Sequence, residues 1–218
     1  MIKIFIKFII AVIAVPLAAG VTIAFQRNIV LITEMAQCMR YFTWGIVSYA
    51  ILHLLFYKPT YAYVLGHEAV HAGFSWLLGG KIKSFRVSEQ GGGVATDKSN
   101  TLIELAPYFI PLYTALVTVV YFVVKSSYAI DGRFFIFLIG FTLAMHIVST
   151  VEVLRIRQPD IVKSGYFFSI VLVYIMNIVV IAAIFSLVFH SFGMKKFFLD
   201  MWGVSRHIYA MIAKQFFL

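Results

Sequence analysis

The sequence predicts an all-α polytopic membrane protein whose one non-helical element is a short β-hairpin. Three observations predict it. Of 218 residues 62% are hydrophobic and only 12% charged, whereas soluble domains are about half apolar and about a quarter charged. Six apolar stretches approach the ~20 helical residues that a hydrocarbon layer demands. The longest polar interruption, residues 81–100, combines an alternating segment with a run of three glycines.

The expected spans cover residues 4–25, 41–57, 62–79, 101–124, 133–154 and 166–190. In the first, Lys3 and Lys7 precede an apolar run in which Ala18 and Ala19 resemble a signal-peptide cleavage site. The run continues to Phe25, which favours a retained anchor. The formal charge of +9 does not point to nucleic acid, because Lys and Arg fall in short loops beside apolar segments and read as contacts with lipid headgroups. They divide evenly between alternate loops, so the positive-inside rule leaves the orientation open.

Between the third and fourth spans, Phe85, Arg86, Val87 and Ser88 alternate, and Gly91, Gly92 and Gly93 are expected to supply the tight turn of the hairpin. Near the C-terminal end, Phe197, Met201, Val204, Ile208 and Ile212 recur at helical spacing among Lys195, Lys196, Arg206 and Lys214. That pattern predicts an amphipathic helix over 194–218 lying in the interface plane. No loop is long enough for a soluble domain, so residues 1–218 read as one membrane domain. The single cysteine, Cys38, excludes an internal disulfide and a thiolate cluster, which leaves nitrogen and oxygen as ligands for any metal.

The third span contains Gly66, His67, Glu68, Ala69, Val70 and His71, an HExxH pattern. Given this chain's own composition, the pattern arises by accident about 0.004 times. Residues four apart share one helix face, so His67 and His71 can offer two imidazole nitrogens to one zinc ion. Glu68 lies on the adjoining edge, where its carboxylate can take a proton from a metal-activated water. Ionisable groups inside a membrane segment cost several kcal/mol and usually mark function. A hydrogen-bonded helix contact and an ion or proton pathway are the competing readings.

An HExxH on a membrane helix, closed by Gly79 and Gly80 and followed by a glycine-bearing hairpin, resembles the site-2 protease family of intramembrane zinc metallopeptidases. The likeness covers roughly residues 60–180 and implies that the hairpin, with Phe85, Val87 and Val94, presents an extended substrate backbone beside the zinc. The family's Ala-Gly-Pro element has a partial counterpart in Ala106 and Pro107, without the glycine. Its Leu-Asp-Gly aspartate corresponds in part to Gln158, Pro159 and Asp160, with Gly165 following.

Catalytic zinc commonly takes three protein ligands and a water. Motif and donor chemistry favour Asp160 as the third, although a six-span count puts it on the far side of the membrane from the start of the third span. Depth favours His146, which is about 20 Å into the fifth span at 1.5 Å per residue. Asn177 or Thr150 can contact a substrate backbone or a developing oxyanion, although helix-to-helix bonding is the plainer role for both. His53, His190 and His207, near span ends or in the tail, suit the wet interface and receive no catalytic role.

The expectation is therefore a zinc metalloendopeptidase that cuts membrane-spanning or membrane-anchored proteins, with Glu68 as general base. Its partners would be the substrate and the lipid bilayer, self-association is compatible with it, and a bacterial inner membrane is its expected location. The alternative is a metal-ion or proton transporter built on the same His and Glu cluster.

Overall fold

The computed structural model describes residues 2–30, 35–128, 131–156 and 158–217. The chain folds as α1 (Ile2–Ile29), α2 (Met35–Ile51), α3 (Thr60–Leu77), β1 (Ile82–Ser88), β2 (Gly91–Thr96), α4 (Thr101–Leu105), α5 (Leu112–Ser127), α6 (Arg133–Arg155), α7 (Pro159–Ser164), α8 (Tyr166–Val188) and α9 (Met194–Phe217). A π-helical turn, Leu52–Phe56, extends α2, and a 3-10 turn, Ala106–Tyr108, extends α4.

Three helices are long and apolar enough to cross a membrane: α1, α6 and α8. The segment Thr101–Tyr108 joins α5 as a bent pair with a 72° break, which makes up to four. The break falls where Pro111 removes a backbone donor and restricts Ile110 before it. The other two expected spans fall short of that measure. Helix α2 has 17 residues before its helix geometry changes. Helix α3 has 18, diluted by His67, Glu68 and His71.

The chain divides into two compact units, Met35–Asp160 and Met1–Glu34 with Ile161–Leu218. In the first, α2 and α6 run parallel and in close contact. Arg133 reaches the Tyr41 hydroxyl at 3.4 Å, the Tyr49 ring meets Phe141 at 5.3 Å, and His53 meets Glu152 at 3.2 Å. Glycine permits this approach: a Cβ at Gly45 would strike the Phe137 carbonyl, and one at Gly140 the Phe42 carbonyl. Small residues let membrane helices gain dispersion contact that lipid does not provide. Helix α5 folds back on α6, with Tyr121 and Phe135 rings 5.5 Å apart.

Helix α3 ends in a glycine cap. Gly79 adopts φ 76°, its N–H donates to the Trp76 carbonyl, and the Gly80 N–H donates to that of Ser75, which satisfies carbonyls the helix leaves open. The antiparallel hairpin then packs on α3, tied by Ser75 to Thr96 and by the Lys98 ammonium to the Leu78 carbonyl at 2.9 Å. Its turn is Glu89–Gln90, and the three glycines lie inside β2 rather than at the turn. The register pairs Phe85 with Val94 and Val87 with Gly92. Close backbone approach is the other use of strand glycine, and a Cβ at Gly92 would stand 2.6 Å from Glu68 Cγ and 2.8 Å from Val64 Cγ1.

In the second unit, α1, α8 and α9 pack together, and α9 runs antiparallel to α1. Asp200 accepts from the buried Asn28 amide at 2.8 Å, Ser205 sits against Gly20, and the Tyr209 hydroxyl donates to the Ile13 carbonyl at 2.6 Å. Phe197, Met201, Val204 and Ile208 are buried or half-buried in that seam. Four of the five expected apolar positions of α9 thus face neighbouring helices, whereas Ile212 is exposed, and amphipathic spacing alone does not distinguish a protein partner from acyl chains.

Candidate metal centre

Helical spacing brings the two histidines together as expected from i and i+4. His67 Nε2 and His71 Nε2 are 3.2 Å apart. Asp160, in the first turn of α7, places Oδ2 3.4 Å from His71 Nε2 and 3.9 Å from His67 Nε2. Among the described residues, these three form the group of His, Cys, Asp and Glu side chains that could hold a metal ion. Asp160 is therefore beside the histidines despite its distance from them in the six-span count.

Each donor has an outer partner. His71 Nδ1 lies 2.8 Å from the Ile103 carbonyl. A carbonyl only accepts, so Nδ1 carries a proton and donates it, which leaves Nε2 as the ring edge turned toward His67 and Asp160. The Asn100 side chain, capping α4, accepts from the Ile103 N–H at 2.9 Å and so fixes the segment that supplies that carbonyl. His67 Nδ1 lies 3.4 Å from the Tyr63 hydroxyl, one helical turn back. Tyr108, fully buried in the 3-10 turn, donates to Asp160 Oδ2 at 3.4 Å, and its ring meets His67 edge-on at 5.0 Å. Burial pushes the Asp160 carboxyl up, but hydrogen bonds and the charges of the two imidazoles outweigh it and hold the group below the ordinary carboxylate range.

The donor set suits a divalent first-row cation. Two ligands about 2.05 Å from a tetrahedral zinc stand about 3.3 Å apart. Two of the three observed separations match that edge, and the His67–Asp160 pair is about half an ångström wide. Glu68 is buried against Gly92 of the hairpin and within electrostatic reach of His67, His71 and Asp160.

His146 does not join this donor group. It lines, with His67, Tyr63, Thr142 and Met145, a cavity of about 30 Å³, enough for one or two waters. Val87 and Val94 are half-buried on the hairpin and Phe85 is exposed. Asn177 belongs to the other unit, where its amide donates to the Val173 carbonyl one turn back at 2.9 Å. Thr150 is buried in α6. His53, placed at the interface by sequence, is instead buried between the Tyr49 hydroxyl at 3.1 Å and Glu152 at 3.2 Å.

Sequence reasoning missed Tyr63 and Tyr108. Tyr63 carried a signal, since it precedes His67 by one turn. Tyr108 carried only its position beside Pro107, in a segment read as continuous helix.

Fold and site together give a mainly helical chain, with helices long and apolar enough to cross a membrane and a half-buried group of side chains that could hold a metal ion. No protein-family model, curated protein or solved structure matches the chain.

Proposed function

We propose that the chain is an intramembrane zinc metalloprotease of the site-2 type, which hydrolyses peptide bonds of membrane-spanning or membrane-anchored proteins, with the bacterial cytoplasmic membrane as its expected location. The observation that supports this most is the convergence of His67 Nε2, His71 Nε2 and Asp160 Oδ2 within 4.8 Å of one another, beside the buried carboxylate of Glu68, in a chain rich in membrane-length helices.

His67, His71 and Asp160 would hold the cation. Zinc in such a site acts as a Lewis acid and lowers the pKa of water to about 7. Glu68 accepts the proton released by the attacking water and returns it to the leaving amine, the role of a carboxylate held within reach of both. The hairpin over Glu68 offers strand edges to which an extended substrate can pair, with Phe85, Val87 and Val94 as its side-chain contacts. Burial of Glu68 keeps bulk water from competing for its proton.

The test uses purified protein in proteoliposomes with a single-span reporter substrate, reading cleavage and bound zinc separately. Glu68→Gln should retain zinc and lose cleavage by a factor of at least about 10². His67→Ala should lose both. Full cleavage by the Glu68 variant removes the role assigned to it, and metal-dependent ion flux without cleavage selects a transporter.

A further inference from the structure

The three donors differ in how firmly their own segments hold them. His67 and His71 stand on one turn of an 18-residue helix. Asp160 projects from the first turn of a six-residue helix, and its side chain is about a third exposed at 35%. A carboxylate in that setting has rotamers to lose when it captures a cation, and that ordering weakens capture unless another group supplies it beforehand.

Tyr108 comes from a different part of the chain and is anchored. Its side chain is 0% exposed, it sits where the bend between α4 and α5 fixes the backbone, and its ring packs edge-on against His67. Its hydroxyl meets Oδ2, the same Asp160 oxygen that faces both Nε2 atoms. At 3.4 Å the contact is long for an O–H···O bond, so the hydroxyl steers the carboxylate more than it clamps it. Tyr63 and the Ile103 carbonyl play the corresponding part for the histidines.

We infer that Tyr108 is a positioning residue of this centre, holding Asp160 Oδ2 turned toward His67 and His71 so that the third donor is in place before a cation arrives. The inference rests on reading the group as a metal centre. Outer partners of metal ligands typically govern affinity by 10–100-fold.

The experiment titrates the purified full chain with Zn²⁺ against a chromophoric chelator. Tyr108→Phe keeps the ring against His67 and removes only the hydroxyl. It should bind zinc about 10–100-fold more weakly, while the melting temperature of the metal-free protein stays unchanged. In an Asp160→Asn background the same substitution should change affinity by no more than about twofold, because the two residues act as one unit. Co²⁺ substituted for zinc should show an altered visible spectrum in Tyr108→Phe and an unaltered one in Tyr121→Phe, a tyrosine elsewhere in the same unit. Zinc affinity of Tyr108→Phe within twofold of the parent, or an equal loss in both backgrounds, overturns the inference and leaves the metal centre standing. A parent chain that binds no zinc through His67 and His71 overturns both.

Discussion

Gly92 illustrates how far the chemistry of the site depends on a group that is absent. A methyl there would press on Glu68 Cγ, Val64 Cγ1 and the Arg86 carbonyl, all within 2.9 Å. Gly92→Ala should therefore displace either the hairpin or the Glu68 side chain, at a cost of about 1–3 kcal/mol. Cleavage should fall at least tenfold, whereas Gly93→Ala, with nothing within 4 Å of its added carbon, should leave it unchanged. Equal activity in both variants would remove the hairpin from the site. His67, Glu68 and His71 were legible because their relation is local, set by 3.6 residues per turn. Asp160 was reachable by donor chemistry and resemblance, but not by geometry, since what brings it in is a short helix 89 residues beyond His71 in sequence. Tyr108 was illegible for a sharper reason: its position depends on a bend that the apolar run 101–124 conceals.

Among the elements, the α2–α6 seam was read only as two separate apolar stretches. What joins them is a pair of glycines, Gly45 and Gly140, each set against the opposing backbone. Gly140→Leu should force the helices apart and lower the unfolding temperature in detergent by several degrees, at about 2 kcal/mol or more. Wild-type stability in that variant would mean the contact does not form. At the seam of α1 and α9, Asp200→Ala strips one partner from the Asn28 amide, which is 1% exposed. A buried donor left unmatched costs about 1–3 kcal/mol, and denaturant titration should register the loss. The length of the apolar run gave the existence and type of α1, and hydrophobic periodicity those of α9. It failed on what the apolar stripe of α9 touches, because lipid and protein present the same apolar surface to it.

At the scale of the whole molecule, the antiparallel alignment of α9 with α1 constrains topology. Two helices packed side by side over Ile13–Asn28 and Asp200–Tyr209 share one orientation to the bilayer. If α1 crosses the membrane, α9 lies alongside it with Arg206 and His207 on its exposed side, although α9 is not among the helices apolar enough to span by themselves. Replacing Cys38 with serine permits single-cysteine labelling. Probes at Lys196 and Lys214 react from opposite faces of sealed vesicles if α9 follows α1 across the bilayer, and from one face if it lies in the interface plane. Removing metal offers a second global measurement. Chelator treatment should lower the melting temperature of the parent and not of His71→Ala, since a ligand that binds only the folded chain stabilises it by mass action.

The Ile103 carbonyl that receives the His71 Nδ1 proton has a thermochemical consequence. Above the imidazole range, that ring already carries its hydrogen on the side facing away from the cation, so loading the centre expels none from it. If the Tyr63 hydroxyl accepts from His67 Nδ1 in the same sense, and Asp160 is ionised, none of the three donors releases a proton on loading. Any difference between calorimetric heats measured near pH 8 in phosphate and in Tris, whose ionisation enthalpies differ widely, should then amount to no more than the one proton of the zinc-activated water.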